Sequence, residues 1–270
     1  MSTDLSTAII EASLTGRWGR PPTYYDTVDS TNERALELLD NGAPEGALVV
    51  ANHQTAGRGR RGRSWDSPAG TGLLFSLVLR PGNQDALELL TTVLGVAVSK
   101  AIESRTGVLT QLKWPNDVTV NDRKLAGILV ESRLSGGAIE GAVAGVGVNV
   151  TWPADVEEEV APIATSLEAI RRQDAGISVP TRPELLAAMV AEFENLYDRL
   201  EVAAVREEVI REATERSAVL GREVVVRFAD GTSRQGRALG LTATGALKLE
   251  VTDGGIEVLS IGEVERLRPR

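Results

Sequence analysis

A short stretch rich in glycine and arginine is the first candidate for chemistry in this chain. Residues 57–62 read Gly-Arg-Gly-Arg-Arg-Gly and Arg63 follows, so four arginines lie within six positions. Glycine makes such a loop adaptable, and arginine makes forked contacts with carboxylate and phosphate groups. The loop could close over an anion. Exclusion of water would then strengthen the attraction between two opposite charges roughly 4 Å apart from about 1 to about 4 kcal/mol. A solvated basic loop and an RNA-binding tail are the alternatives.

The same six residues match the dinucleotide fingerprint G-x-G-x-x-G. That fingerprint requires a helix directly after the glycines, because the helix N-terminus holds the pyrophosphate. Here Trp65 and Pro68 lead into a glycine-rich turn and an apolar strand. A Rossmann nucleotide site is therefore not expected.

A second candidate is the stretch 113–118, which reads Lys-Trp-Pro-Asn-Asp-Val. Pro115 forces Trp114 toward an extended conformation, so Trp114 should end a strand. Asn116 and Asp117 would then present an amide and a carboxylate in a turn, and these groups suit a hydroxyl, a Mg²⁺ ion or an amine. A plain Asn-Asp turn between two strands is the alternative.

Two further positions could serve the same site. Lys124 stands at the mouth of the apolar strand 125–131, where a lysine can neutralise charge on a transferring phosphoryl group. The alternative is an exposed lysine at a strand end. Residues 145–150 alternate glycine and valine around Asn149, and glycines on a strand permit close approach of a ligand.

The single histidine, His53, adjoins Gln54. A Ser-His-Asp hydrolase would have to use it, but the chain has no G-x-S-x-G nucleophile elbow. We predict that His53 has a structural role or lines the wall of the pocket.

The elements that must position these residues follow from apolar periodicity and turn signals. Ser30 and Glu33 are spaced as a capping box at the start of a helix. Residues 151–182 are predicted to be loop with short helices. The predicted helices are 30–41, 85–106 and 183–200, and the predicted strands are 47–52, 72–80, 111–114, 117–120, 125–131 and 141–150.

The pattern of apolar residues and turns changes near residues 216–221. Short alternating strands are predicted over 223–228, 234–239, 246–251 and 256–260, and Asp-Gly and Thr-Gly turns separate them. This spacing is typical of a small β-barrel. We therefore divide the chain into a leader (1–22), a catalytic domain (23–218) and a C-terminal barrel (219–270).

Composition narrows the class of protein. The chain has 270 residues, a formal net charge of −9 and no cysteine. The acidic balance argues against a surface that tracks nucleic acid, and the absence of cysteine excludes disulfides and thiolate sites. Neither a signal peptide nor an apolar run long enough to cross a bilayer is present. The cytoplasm is the expected location, with no membrane partner.

Taken together and in this order, the stretches 54–65, 113–118, 124–131 and 145–150 resemble those of the biotin protein ligase family. The resemblance runs from Ser30 to about Asn149 and continues more weakly through 165–167. It implies an α+β fold whose mixed central sheet is flanked by helices, as in class II aminoacyl-tRNA synthetases. It also implies a small C-terminal SH3-like β-barrel. The sequence supports this only by the position of residues 219–270 and by their pattern of short strands and turns.

The resemblance implies a two-step reaction. Biotin and Mg·ATP form biotinyl-5′-AMP, and a lysine of a biotin carboxyl carrier domain then takes the biotin. The substrates and cofactors implied are ATP, biotin and Mg²⁺. Members that also repress transcription carry an N-terminal DNA-binding module, and only the leader precedes the catalytic domain here, so DNA is not an expected partner. The sequence leaves open whether the protein is a monomer or a homodimer.

Residue roles carry over by motif. The expected catalytic residues are Lys124, which bridges the biotin carboxylate and the α-phosphate, Arg60 of the closing loop, and Asp117 as acceptor of the proton from the attacking amine. The remaining biotin contacts are expected at Ser30, Thr31, Asn32, Gln54, Arg58 and Gly59. The adenylate neighbours are expected at Arg61, Trp65, Asn116 and Asn149.

Two other functions remain open at this point. A lipoate or octanoate ligase shares the fold and the acyl-adenylate chemistry, although its motifs differ from the arginine loop beside 113–118. A non-enzymatic nucleic-acid-binding protein could use the arginines instead, and would show binding that weakens with salt.

Overall fold

A mixed seven-stranded sheet forms the centre of the computed structural model, which describes residues 4–252, 254–260 and 262–266. Its strand order is β1-β2-β3-β7-β6-β5-β4, and only the β1–β2 pairing is parallel. The strands are β1 (Thr23–Val28), β2 (Leu48–Gln54), β3 (Gly72–Leu79), β4 (Gln111–Lys113), β5 (Asp117–Val120), β6 (Arg123–Ser135) and β7 (Ala138–Asn149). The predicted mixed sheet is confirmed, and β1 is a strand that the sequence patterns did not indicate.

Helices cover both faces of this sheet. They are α1 (Thr7–Ser13), α2 (Thr31–Asp40), α3 (Gln84–Thr106), α4 (Ala154–Val160), α5 (Leu167–Gln173), α6 (Arg182–Tyr197) and α7 (Ala203–Glu215). Successive side chains of a strand point to opposite faces, so Val78 packs with α2 whereas Leu77 and Leu79 join the core under α3 and α6. The predicted α+β class is therefore confirmed, with short helices in the irregular stretch as expected.

The segment predicted as a leader packs into the core of the sheet domain. Leu5, Ile10 and Trp18 are fully buried. The Trp18 ring meets Phe193 and Tyr197 of α6 edge-on, with ring centroids 5.6 and 5.2 Å apart. A helix of seven residues is too short to give a periodic apolar signal, which is why the sequence did not indicate α1.

The start of α2 differs from the predicted capping box. Ser30 occupies the N-cap position, but its side chain makes no capping hydrogen bond. Glu33 instead forms an ion pair with Arg58 of the arginine loop. The capping-box prediction is wrong because a charge partner from a distant loop engages Glu33. The hydroxyl of Ser30 is thereby not committed to the helix.

The predicted small β domain is confirmed as a separate five-stranded antiparallel sheet of order β11-β10-β9-β8-β12. Its strands are β8 (Glu223–Arg227), β9 (Ser233–Leu241), β10 (Leu247–Val251), β11 (Ile256–Leu259) and β12 (Glu263–Arg266). It has a core of its own around Val224, Val226 and Leu247. The sequence patterns did not indicate β12, which is short, or α7, which buries only a narrow stripe.

Within the described ranges, every helix is either too short or too polar to span a lipid bilayer.

Replacement of Trp18 tests whether the N-terminal segment belongs to the core. Trp18→Ala should lower the free energy of unfolding by about 3–5 kcal/mol, because it leaves a cavity against α6. Urea unfolding followed by circular dichroism measures this change. The control is Ile9→Ala, since Ile9 lies on α1 but is exposed, and it should change the unfolding free energy by about 0.5 kcal/mol or less. A Trp18→Ala protein as stable as the parent would contradict this packing.

Candidate active site

The arginine loop folds as a compact hairpin beside α2. The Trp65 N–H donates to the Gly57 carbonyl (2.9 Å) and the Gly59 N–H donates to the Arg63 carbonyl (2.7 Å). A single 3-10 turn spans Arg60–Gly62 at its tip. Arg61 there has a φ of 58°, in the left-handed region that costs energy for a residue with a side chain. The loop therefore holds its arginines in a defined arrangement.

This loop covers a cavity of about 260 Å³ above one face of the central sheet. Eleven of the predicted site residues line it, namely Ser30, Thr31, Asn32, Gln54, Arg58, Gly59, Arg60, Trp65, Asn116, Asp117 and Lys124. Five cationic side chains face two acidic ones, Asp117 and Glu263, in the described lining. The cavity is thus a locally cationic site in an acidic chain, which favours an anionic ligand.

Glycines on β6 and β7 make room for the cavity. Gly127 and Gly147 are partners across the two strands, and a Cβ atom at either would collide with the ring of Trp65. A Cβ atom at Gly145 would collide with the Asn32 side chain. At these three positions the floor of the site is therefore bare backbone, so that the two side chains can lie against the sheet.

The end of the cavity next to α2 is polar and uncharged. The Gln54 Oε1 accepts hydrogen bonds from the backbone N–H and the hydroxyl of Thr31, at 2.7 and 3.0 Å. Ser76, on β3, donates its hydroxyl to Asn32 Oδ1 (2.6 Å) and lies 2.8 Å from Thr31 Oγ1. These side chains are buried or half-buried, so they offer fixed donors and acceptors to a neutral polar group.

Lys124 lines the cavity beside Asp117 and Trp65. Its ammonium forms an ion pair with Asp117 (2.7 Å) and stands 5.2 Å from the centroid of the Trp65 ring. The Lys124 backbone is also fixed, because its N–H donates to the Ile163 carbonyl (2.9 Å) and its carbonyl accepts from Thr165 (2.8 Å). The structure thus brings together the three motifs that contain Trp65, Asp117 and Lys124.

The C-terminal domain closes one side of the cavity. Arg60 donates to the Gly262 carbonyl (3.3 Å), and Arg63 forms an ion pair with Glu263. Burial lowers the pKa of the Arg60 guanidinium, and nearby Arg61 lowers it further, while Glu263 and Asp117 act in the opposite direction. Arginine remains charged at neutral pH despite such a shift, so a half-buried cation is available to an anionic ligand.

Trp114 joins the catalytic and C-terminal domains. Its indole N–H donates to the Gly245 carbonyl (3.1 Å), and its ring belongs to the core of the C-terminal domain. The neighbouring Asn116 lines the cavity, and its amide donates to the Ile128 carbonyl (2.8 Å). The stretch 113–118 therefore positions both the site and the domain that closes it.

Two predicted site residues lie outside the described cavity lining. Arg61 donates to the Arg227 carbonyl (2.8 Å) in the C-terminal domain. Asn149 is buried, and its amide donates to the carbonyls of Lys124 (3.3 Å) and Thr165 (3.1 Å). Both residues therefore hold neighbouring segments in this structure.

Several residues at the site were given no role from the sequence. Arg63, Lys113 and Glu263 line the cavity, and Ser76 lies behind its polar end. Arg63 and Lys113 belong to motifs that were recognised, so their proximity to the site could have been predicted. Ser76 and Glu263 carried no local signal. His53 lies half-buried on β2, opposite Thr27, and is not among the described lining residues.

Comparison with known proteins gives a consistent result. Residues 24–149 match the biotin/lipoate A/B protein ligase family, and residues 219–267 match the biotin protein ligase C-terminal domain. The bifunctional ligase/repressor BirA of Bacillus subtilis is 37% identical over 245 residues, which cover 90% of this chain and 73% of that protein. The biotin–[acetyl-CoA-carboxylase] ligase of Paracoccus denitrificans is 36% identical, with 87% of this chain and 96% of that protein covered.

A similar solved structure is the biotin protein ligase of Aquifex aeolicus in complex with biotin and ATP. It has a TM-score of 0.75 and 30% identity, and the match covers 91% of this chain and 98% of that one. These similarities, together with the assembled site, show that the chain belongs to the biotin protein ligase family.

Proposed function

We propose that this chain is an ATP-dependent biotin protein ligase. It forms biotinyl-5′-AMP from biotin and ATP, and then transfers biotin to a lysine of an acceptor protein. The observation that carries the proposal is the division of one cavity into two chemically different parts. A neutral polar end formed by Thr31, Asn32 and Gln54 suits the ureido ring, and a cationic part around Lys124 and the arginine loop suits a carboxylate and phosphates.

In the first step, a carboxylate oxygen of biotin attacks the α-phosphorus of ATP. The bond from the α-phosphorus to the bridging oxygen breaks, and pyrophosphate leaves. Lys124 would contact both the biotin carboxylate and the α-phosphate, where its charge stabilises the added negative charge of the transition state. To do so its ammonium must share or leave the ion pair with Asp117. Arg58, Gly59 and Arg60 would hold the adenylate under the loop.

In the second step, the acceptor amine attacks the acyl carbon of the mixed anhydride. The bond between this carbon and the phosphate oxygen breaks, and AMP leaves. The amine must lose a proton, and we assign its acceptance to Asp117, whose carboxylate lines the cavity beside Lys124. Once the two have separated around the ligand, this carboxylate would be available to take the proton.

Further roles follow from position. Ser30, Thr31, Asn32 and Gln54 would bind the ureido ring, and Trp65 and Asn116 would lie beside the nucleotide. For Asn149 we propose an indirect role in placing Lys124, since its amide binds the Lys124 carbonyl. For Arg61 we propose a role in docking the loop on the C-terminal domain.

Mg²⁺ is the expected companion of ATP. It keeps several waters and is usually held by substrate phosphates with one or two protein oxygens. The Asp117 carboxylate and the Asn116 amide oxygen fit that requirement, and no cluster of three or more acidic or histidine ligands occurs among residues 4–252, 254–260 and 262–266. When bound, the ion would neutralise charge on the phosphates.

The acceptor we propose is a biotin carboxyl carrier domain, as the names of the carboxylase-ligase relatives suggest. Because the reaction consumes ATP, we place it in the cytoplasm. We also propose that the catalytic unit extends to residue 218, and that the unit from 219 onward completes the cavity through Glu263 and Val264.

Two other functions are less well supported. The dithiolane ring of lipoate has no ureido donors or acceptors, so a buried polar end would be left unpaired, which costs affinity. A nucleic-acid-binding surface would need exposed, available arginines. Instead, Arg58, Arg61 and Arg63 contact groups of this chain.

An exchange assay tests the first step. ATP–pyrophosphate exchange should require biotin and should not respond to lipoate or octanoate. Lys124→Ala should lower the exchange rate by about 100-fold or more, because a charge that stabilises the transition state is lost. Lys248→Ala, which removes an exposed lysine of β10, is the control and should behave as the parent. Exchange with lipoate but not biotin would contradict the proposal.

Arg60→Gly tests closure of the loop. The variant loses the contact with Gly262 and a half-buried charge, so bound biotinyl-5′-AMP should dissociate about tenfold faster or more. Release of labelled adenylate into a chase of unlabelled biotin and ATP measures this rate. Arg222→Gly, in an exposed turn before β8, is the control. Equal retention of adenylate by variant and parent would show that the loop is not a lid.

Asp117→Asn tests the second step in isolation. Supplying synthetic biotinyl-5′-AMP avoids the step that needs Lys124, and transfer to a carrier domain should then slow by about 100-fold, as expected for loss of a general base. The control is Asp122→Asn in the exposed turn after β5. Transfer at the parent's rate would assign the proton to another acceptor.

A further inference from the structure

Glu131 lies outside the described cavity lining, yet it contacts two different parts of the site. One carboxylate oxygen, Oε1, accepts a hydrogen bond from Arg58 of the arginine loop at 2.7 Å. The other, Oε2, accepts from the Asn32 side-chain amide on α2 at 2.8 Å. The Glu131 side chain is about 20% exposed. Its contact with Asn32 is partly buried and is therefore screened less than a surface pair, whereas its contact with Arg58 lies at the surface.

The contact with Asn32 fixes which way that amide faces. The two amide hydrogens of Asn32 point to Glu131 and to the Leu129 carbonyl (3.3 Å), while its Oδ1 accepts from Ser76. An amide oxygen has two acceptor sites, so one remains for an N–H group of a ligand. The carboxylate of Glu131 thus keeps an acceptor turned toward the polar end of the cavity.

Glu131 also connects the loop with the far wall of the cavity. A continuous series of contacts runs from Arg58 through Glu131, Asn32 and Ser76 to Thr31, and from there to Gln54. Residues on both sides of Glu131 donate to it. Only a carboxylate accepts at both oxygens, because a carboxamide replaces one acceptor by a donor.

We propose that Glu131 is a positioning residue for biotin, an inference that depends on the proposed function. It sets the orientation of the Asn32 amide toward the ureido ring and holds Arg58 at the rim of the same cavity before the substrate arrives. Preorganisation of this kind lowers the entropy that binding must remove. Glu131 touches neither substrate nor reacting atoms in this assignment.

Glu131→Gln is the diagnostic variant. The glutamine NH₂ group must face either Arg58 or the Asn32 amide, and both of these are hydrogen-bond donors. One of the two hydrogen bonds is therefore lost, although the size and shape of the side chain are kept. We expect the Kd for biotin from calorimetry and the KM for biotin in exchange to rise about tenfold or more. The KM for ATP and the kcat should change less than about threefold, and the thermal midpoint should stay near that of the parent.

Two further variants separate positioning from general stability. Glu33→Gln weakens a second, more exposed contact of Arg58 without touching Asn32, and should alter biotin affinity far less. In an Asn32→Ala background, Glu131→Gln should have a much smaller effect on the Kd for biotin than in the parent, because contacting residues are energetically coupled.

The outcomes distinguish this inference from the function on which it rests. If the parent shows no biotin-dependent exchange, the proposed function fails. If the parent is active, an unchanged Kd for biotin in Glu131→Gln overturns the inference alone. A fall in thermal midpoint with equal losses in biotin affinity, ATP affinity and kcat would also overturn it, since it would make Glu131 merely structural. Full additivity with Asn32→Ala would likewise overturn it.

Discussion

The site depends on the absence of a side chain at three glycine positions on two paired central strands. Gly127 lies opposite Gly147, and Gly145 lies two residues along the same strand. Without these Cβ atoms, the ring of Trp65 and the amide of Asn32 lie directly against the backbone of the sheet. The opposite face of β7 carries Ala142, Ala144, Val146 and Val148, which belong to the main core. One strand therefore supports stability on one side and leaves room for a ligand on the other.

Most of the charged side chains around this floor form ion pairs with one another. In the part of the chain that the structure describes, Lys124 pairs with Asp117, Arg58 with Glu33 and Glu131, and Arg63 with Glu263. Charges held in this manner are kept in position before a substrate binds. Preorganised charges contribute more to stabilising a transition state than mobile ones, because less reorganisation accompanies the reaction.

The C-terminal domain has a more direct part in the site than its separate core suggests. It receives Trp114 into that core, and its carbonyl groups and Glu263 contact three arginines of the loop. These contacts fix the loop on the side away from α2. The small β domain therefore serves as one wall of the cavity, in addition to folding around its own apolar residues.

The sequence by itself determined which chemical groups matter and to which family they belong. The arginine loop, the 113–118 stretch, Lys124 and the glycine-rich strand carry local signals, since each depends on residue type over a few positions. Long elements such as α3 and the long apolar strand β3 were also predictable from periodicity. Only the tertiary structure decided that Ser76 meets Asn32 across 44 positions, and that Glu263 meets Arg63 across 200. Such contacts depend on strand register and domain packing, because these bring together residues that no local pattern relates.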